Sequence, residues 1–411
     1  MRNVAFVAPF YLPTTLRFLE AAAGLEGVRL GVITQEPVEK TPPSLRRRIA
    51  AVARVDDALS AEGIHAGLRQ LSAELGGIDR LLGALEELQV PLGELRDALG
   101  LPGMGAEAAR NFRDKARMKD VLRAHGLPCA RHALVRDAAE ALAFSADAGL
   151  PLIVKPPAGS GARGTFRVET PEQLRVAVAM SAPSADRPTL IEEFVGGDEH
   201  SFDAVSIGGQ VMWHSINHYL PSPLEVLREP WIQWCVLLPR EVDSPRYEEI
   251  RRVAGPALDA LGMETGLSHM EWFRRPDGTV AISEVGARPP GAQFVTLISH
   301  AHDFDLYEAW ARLLVFDAFD PPARPYAAGA AYLRGQGHGR VRRVAGLEKI
   351  AKDLGPLAVE WRLPRPGQAR SASYEGEGYI IVRHPRTEVV EEALGRIITR
   401  VRVELDDGPS T

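Results

Sequence analysis

The sequence is poor in cysteine and in lysine. Cys129 and Cys235 are the only cysteines in 411 residues. Two cannot build a disulfide framework or a multi-cysteine metal site, and each reads as a small buried hydrophobe. Lysine occurs six times, at Lys40, Lys115, Lys119, Lys155, Lys349 and Lys352, so 42 of the 48 cationic side chains are arginine. Where arginine serves almost everywhere, a retained lysine is a candidate for a place that wants a compact ammonium. There is no cationic excess either. Lys+Arg 48 against Asp+Glu 54 gives a net charge of −6, without the broad basic field that nucleic acid or an anionic membrane requires. No nucleic-acid partner and no membrane partner are expected. No run of about 20 apolar residues occurs. The opening MRNVAFVAPFYLP carries one arginine, a short apolar run and no small-residue cleavage site, and reads as a strand rather than a signal peptide. A cytoplasmic location is the expectation. No internal repeat or low-complexity block stands out.

What is present is the composition of a globular, multidomain chain, 45% hydrophobic and 25% charged, with a length that suggests two to four domains at roughly 150 residues each. Its first hundred residues alternate as short strands (4–8, 31–34) and helices (14–25 capped by Thr14 or Thr15, 56–75, 81–99), predicting a small open sheet with helices on both faces. Gly100-Leu-Pro-Gly103 marks a boundary. A helix over 106–125 follows, ended by Gly126-Leu-Pro128. Then come a strand at 131–135, a helix at 138–148, the strand Leu152-Ile-Val-Lys155, a strand at 166–168, a helix from about 171 and a strand at 189–194. A hairpin over 199–218 turns at Gly208-Gly209, a long helix lies within 239–261, and strands 267–273 and 279–285 join at Pro276-Asp-Gly278. The tail from about 321 mixes strands and helices.

Four segments carry chemistry. Lys155 ends a strand and is followed by Pro156-Pro-Ala-Gly-Ser-Gly-Ala-Arg-Gly-Thr165. Gly159, Gly161 and Gly164 let backbone N–H groups converge on an anion, although a glycine-rich hairpin turn gives the same pattern. The order, lysine before glycines, excludes a Walker A loop. Ile191-Glu-Glu-Phe-Val195, with Glu199 beyond it, reads either as an interdomain strand meeting an adenine edge and a ribose or as an ordinary strand with solvated acids. Glu271 and Glu284 lie on neighbouring antiparallel strands among apolar residues. A carboxylate there is costly unless paired or bound to metal. Two suit Mg²⁺, which takes a few carboxylates plus phosphate oxygens; an edge salt bridge, for instance to Arg274, is the plainer alternative. Arg288 follows in Glu284-Val-Gly-Ala-Arg-Pro-Pro-Gly291, a fork suited to carboxylate or phosphoryl oxygens beside a turn of fixed shape.

In this order the segments resemble the ATP-grasp superfamily, most closely its carboxylate–amine (amino-acid) ligases. The resemblance implies an α/β (α+β) chain with a three-domain ATP-grasp fold. An N-terminal open α/β sheet domain, a small lid domain and a C-terminal antiparallel-sheet domain would hold ATP between two sheets. Boundaries follow as 1–103 (pre-ATP-grasp), 104–195 (linker helices and lid), 196–320 (catalytic subdomain) and 321–411 (C-terminal lobe). It also implies ATP contacts by Lys115, in Arg113-Asp-Lys115 with Met118 behind it, and by Lys155. Gly159, Ser160, Gly161, Arg163 and Gly164 would form the loop over the phosphates. Glu192, Glu193, Phe194 and Val195 would form the adenine hinge, with Glu199 at the ribose. Glu271 and Glu284 are implied as Mg²⁺ ligands (Mn²⁺ substituting), Arg288 as the catalytic arginine, and His269, Pro290 and Gly291 as substrate contacts. One departure is Gly286, where relatives often carry a metal-binding Asn.

The implied reaction joins a small-molecule carboxylate to an amine through an acyl phosphate, releasing ADP and phosphate, in a chain similar to proteins that are often homodimers. The alternatives are a carboxyphosphate-forming enzyme like biotin carboxylase and a non-catalytic nucleotide-binding subunit. The sequence names neither substrate. The aromatic segment 213–234 reads as interdomain packing or as a substrate cover, with His218, Tyr219 and Arg228 as further candidates; His214, His300 and His302 read as structural.

Overall fold

The computed structural model describes residues 1–159, 164–229 and 231–406. The first sheet is parallel, in the order Ala51–Arg54, Val28–Thr34, Arg2–Val7, Arg80–Leu82. Its central strand is buried on both faces, as a parallel strand between helices must be. Val4 and Phe6 face one core with Phe18, Leu19 and Trp310, while Ala5 and Val7 face another built on Ala61–Leu75. Phe6 and Phe18 both meet the ring of Trp310. Burial of each contributes about 2 kcal/mol. Because Trp310 belongs to the helix Leu306–Phe316, these contacts dock the N-terminal sheet on the rest of the chain.

Three local expectations change. The first helix is Pro13–Gly24, and Leu12, not a threonine, precedes it without a side-chain cap; Pro13 opens it and Thr15 is buried. Leu81 and Leu82 belong to a strand, and the helix expected over 81–99 begins at Gln89. The helix expected over 106–125 is two, Ala106–Arg113 and Lys115–Ala124. Asp114 leaves the helical region, and its carboxylate accepts from the N–H groups of Ala116 and Arg117, a side-chain cap that restarts the chain in a new direction.

A second, antiparallel sheet runs His132–Val135, Thr189–Glu193, Leu152–Lys155, Phe166–Val168. The helices Ala138–Ala148 and Pro171–Ser181 pack against it around a small core that includes Leu152, Val154 and Leu174. The third sheet has eight strands in the order Val280–Gly286, Gly266–Arg274, Asp198–Ile207, Gln210–Leu220, Cys235–Leu238, Ala327–Leu333, Gly378–His384, Ala358–Arg362. Position 320 therefore does not separate two sheets, since three strands of the tail extend the sheet that begins before it. The helices Glu248–Leu261 and Lys115–Ala124 share one core with it. Phe294–His302 and Leu306–Phe316 belong to the core that also takes in the N-terminal domain. The short helix Pro223–Arg228 lies within the aromatic segment 213–234.

Candidate active site

One cleft of about 1600 Å³ opens between the small antiparallel sheet and the eight-stranded sheet, with the N-terminal domain and residues 372–375 on its rim. Lys155 is delivered to it by a fully buried strand, and Glu192 arrives on the neighbouring strand, opposite Ile153. Lys155 Nζ stands 2.6 Å from Glu192 Oε1, and Lys119 Nζ stands 3.1 Å from Oε2. Lys119 also donates to the carbonyl of Ser283 at 2.6 Å. Burial alone would raise the Glu192 carboxyl, but the two ammonium groups reverse this and hold it at about 2. Burial pulls the Lys119 ammonium down. Lys155, also buried, is held above its usual value by Glu192 and Glu284. Two cations thus share one carboxylate in a dry place, and Lys155 faces Glu284 as well.

Lys115 is the first residue of its helix because of the break at Asp114, and Lys119 follows one turn later on the same face. Lys115 Nζ donates to Glu284 Oε1 at 2.8 Å and to the carbonyl of Gly159 at 2.8 Å. Gly159 and Gly164 line the cleft. Ser160, Gly161 and Arg163 lie outside the described residues.

Glu271 and Glu284 are direct partners across the two antiparallel strands. Like charges so placed repel unless a cation intervenes. Burial pushes the Glu284 carboxyl up, yet Lys115 and Lys155 bring it below its usual value. Glu271 has no link to Arg274; its Oε1 accepts from the Tyr219 hydroxyl at 3.4 Å and lies 3.7 Å from His269 Nε2. Glu199 stands in the same acid group, its carboxyl driven well up by burial and by Glu271. Among the described residues no group of three His, Cys, Asp or Glu could hold a metal ion by itself. The facing pair fits a hard cation that completes its shell with phosphate oxygens and water. At Gly286 an added Cβ would meet the Arg288 side chain at 3.7 Å.

Arg288 is tied to the N-terminal domain. Its Nε and Nη2 reach Glu86 Oε2 at 3.2 and 2.7 Å, while Glu86 Oε1 accepts from Arg113 at 2.9 Å. Burial lowers the affinity of Arg288 for its proton, but Glu86 more than offsets this. Pro290 and Gly291 line the cleft beside it. Ala292 and Gln293 then take positive φ values of 47° and 61° before the helix Phe294–His302. Two adjacent non-glycine residues in that region store about 1–3 kcal/mol each, strain of the kind found at functional turns. His269, also in the wall, is fixed from behind: its Nδ1 lies 2.6 Å from Oδ1 of the fully buried Asp203. Burial would lower the imidazole, but Asp203 holds it at about 9.

Among the described residues, the other site residues read from the sequence also line this cleft. Glu193 lines it while pairing with Arg131 at 2.8 Å, Phe194 lies under the Arg167 guanidinium at 4.0 Å, and Val195 and Glu199 complete that wall. Of the further candidates, Tyr219 and Arg228 line the cleft, whereas His218 turns to the other side and bonds to the Tyr247 hydroxyl at 2.5 Å. His214 stacks on Phe202, His300 pairs with Glu360, and His302 bonds to the carbonyl of Ala323. Trp213 and Trp234 are buried and Trp231 is exposed; only Trp234 of the three is in the cleft wall. Sequence reasoning missed Lys119, Glu86 and Asp203. Lys119 had a signal, being one of six lysines and one helical turn from Lys115.

The site is thus a cleft between two antiparallel sheets in which buried lysines face paired acids. Residues 120–304 match the family model for the ATP-grasp domain. It is 27% identical over 376 residues to the uncharacterized protein y4rH of Sinorhizobium fredii, covering 87% of this chain and 75% of that protein. It is 24% identical over 293 residues to the L-arginine-specific L-amino acid ligase of Bacillus subtilis, covering 70% of each. Among solved structures, the L-amino acid ligase of Bacillus licheniformis superposes with a TM-score of 0.80 at 20% identity, over 99% of both chains. The chain resembles the carboxylate–amine ligases of this superfamily. Among the described residues no helix is long and apolar enough to cross a membrane.

Proposed function

We propose that the chain is an ATP-dependent ligase that joins an amino-acid carboxylate to an amine through an acyl phosphate, releasing ADP and phosphate. The observation that carries this reading is the meeting of Lys115, Lys119 and Lys155 with Glu271, Glu284 and Arg288 in one cleft. Residues 104–195 and 196–320 supply its two walls, with 1–103 and 321–411 at the rim. In this reading the three lysines hold the phosphates, residues 192–195 receive the adenine and Glu199 the ribose. Glu271 and Glu284 are the carboxylates that would hold Mg²⁺, whose chemistry when bound is to neutralise phosphate charge.

A carboxylate is a poor electrophile because its own charge repels nucleophiles. Phosphorylation removes that charge. A substrate carboxylate oxygen bonds to the γ-phosphorus as the bond to ADP breaks; the amine nitrogen then bonds to the carbonyl carbon, loses a proton, and phosphate departs. The protein's work is alignment and charge compensation. Arg288 faces the transferring phosphoryl group and the later oxyanion with a preorganised fork.

ADP release measured against a panel of amino acids, with and without bicarbonate, tests the reading. Release that requires an amino acid and an amine supports it. Dependence on bicarbonate points to carboxyphosphate chemistry, and no release from a protein that binds ATP points to a binding subunit.

A further inference from the structure

The C-terminal lobe, beyond residue 304 where the match to the ATP-grasp domain stops, contributes residues 372–375 to the wall of the cleft. Segment 371–377 is built to hold its shape. The buried Glu377 carboxylate accepts from the N–H of Ser371 at 2.7 Å and of Gly335 at 2.6 Å. The Ser371 and Ser373 hydroxyls bond at 3.0 Å. Gly376 sits at φ +65°, where an added Cβ would come within 2.5 Å of the Leu333 carbonyl oxygen, so the turn requires glycine. This turn presents Tyr374 and Glu375 to the cleft. Tyr374 stands edge-on to Trp234, with ring centroids 4.7 Å apart, and Trp234 stacks on Tyr332 at 4.5 Å.

Glu375 differs from the paired acids of the cleft. Glu86 has Arg113 and Arg288, Glu192 has Lys119 and Lys155, and Glu284 has Lys115. Glu375 has no ion-pair or hydrogen-bond partner among the described residues. Burial pushes its carboxyl up, and Arg362 offsets only part of this. A half-buried carboxylate beside aromatic rings is costly until a cation meets it, and aromatic faces favour the same cation.

We propose that Glu375 receives the cationic side chain of the amino-acid substrate, an ammonium or guanidinium group, so that the site selects basic amino acids. The inference rests on the ligase reading above.

Neutral isosteres test it. ADP release by the full chain is measured with arginine against citrulline and with lysine against norleucine. For the wild type KM is lower for the basic member of a pair by about 10- to 100-fold, the range of one charge-assisted hydrogen bond. Glu375→Gln collapses this ratio to about two-fold or less, and Glu375→Asp keeps part of it. Wild-type use of citrulline and norleucine at the KM of arginine and lysine would overturn the proposal. So would a Glu375→Gln variant that keeps the ratio, or one that raises KM equally for both members of each pair, which would put Glu375 at a group common to all amino acids. If no amino acid of either kind elicits ADP release from a protein that binds ATP, the ligase reading fails and the proposal falls with it.

Discussion

Arg288→Ala is expected to lower the rate of amide formation by a factor on the order of 10²–10³, the usual consequence of removing one preorganised oxyanion donor. ATP affinity is expected to persist, because the phosphate-facing charge comes from Lys115, Lys119 and Lys155, whose contacts do not involve Arg288. The fork is held by Glu86, which keeps Arg113 as a second partner when Arg288 is gone. The site loses a donor without gaining a bare buried carboxylate, so the loss falls on the chemical step. Arg288→Lys should not restore the rate, since a point ammonium cannot reproduce the two-pronged grip. Calorimetric titration with ATP combined with an ADP-release assay separates binding from turnover. Wild-type turnover in the alanine variant would remove Arg288 from the chemistry.

Glu284→Gln is expected to reduce Mg²⁺-dependent ATP turnover by about 10²-fold or more, since divalent charge stabilisation in phosphoryl transfer contributes several kcal/mol. The carboxylate has two jobs in the geometry. It faces Glu271 across the strand pair, and it accepts from Lys115. The amide keeps the shape and loses the charge. Lys115 retains the Gly159 carbonyl as a partner, so the loop before the cleft keeps its anchor. A Mg²⁺ titration of ADP release in both proteins reads the effect. An unchanged Mg²⁺ dependence would remove Glu284 from the metal position, whereas Glu284→Asp should recover part of the rate at raised Mg²⁺.

Much of the site was legible because its residues sit on elements with strong local signals. The strand ending at Lys155 and the pair carrying Glu271 and Glu284 obey the two-residue period and are bounded by proline and glycine turns. What stayed hidden depends on tertiary placement. Residues 106–125 form an unbroken helix-favouring run, and only the folded chain reveals that Asp114 caps a second helix and sets the direction of both lysines. Lys119 is one of the six retained lysines but takes no role from the sequence, because its complete burial and its partner Glu192, 73 positions away on a strand of the small antiparallel sheet, exist only in the folded chain. Glu86 fell in a stretch that read as helix, and its pairing with Arg288 joins two domains. The tail strands Ala327–Leu333 and Gly378–His384 pair with each other across a long separation, a registry that local pattern does not encode.

The central claim is that this cleft activates a carboxylate by phosphorylating it. Substrate labelled with ¹⁸O in its carboxylate, turned over with ATP and an amine, tests this most directly. One labelled oxygen is expected in each inorganic phosphate released, carried there through the acyl phosphate. Unlabelled phosphate accompanying amide formation would contradict it.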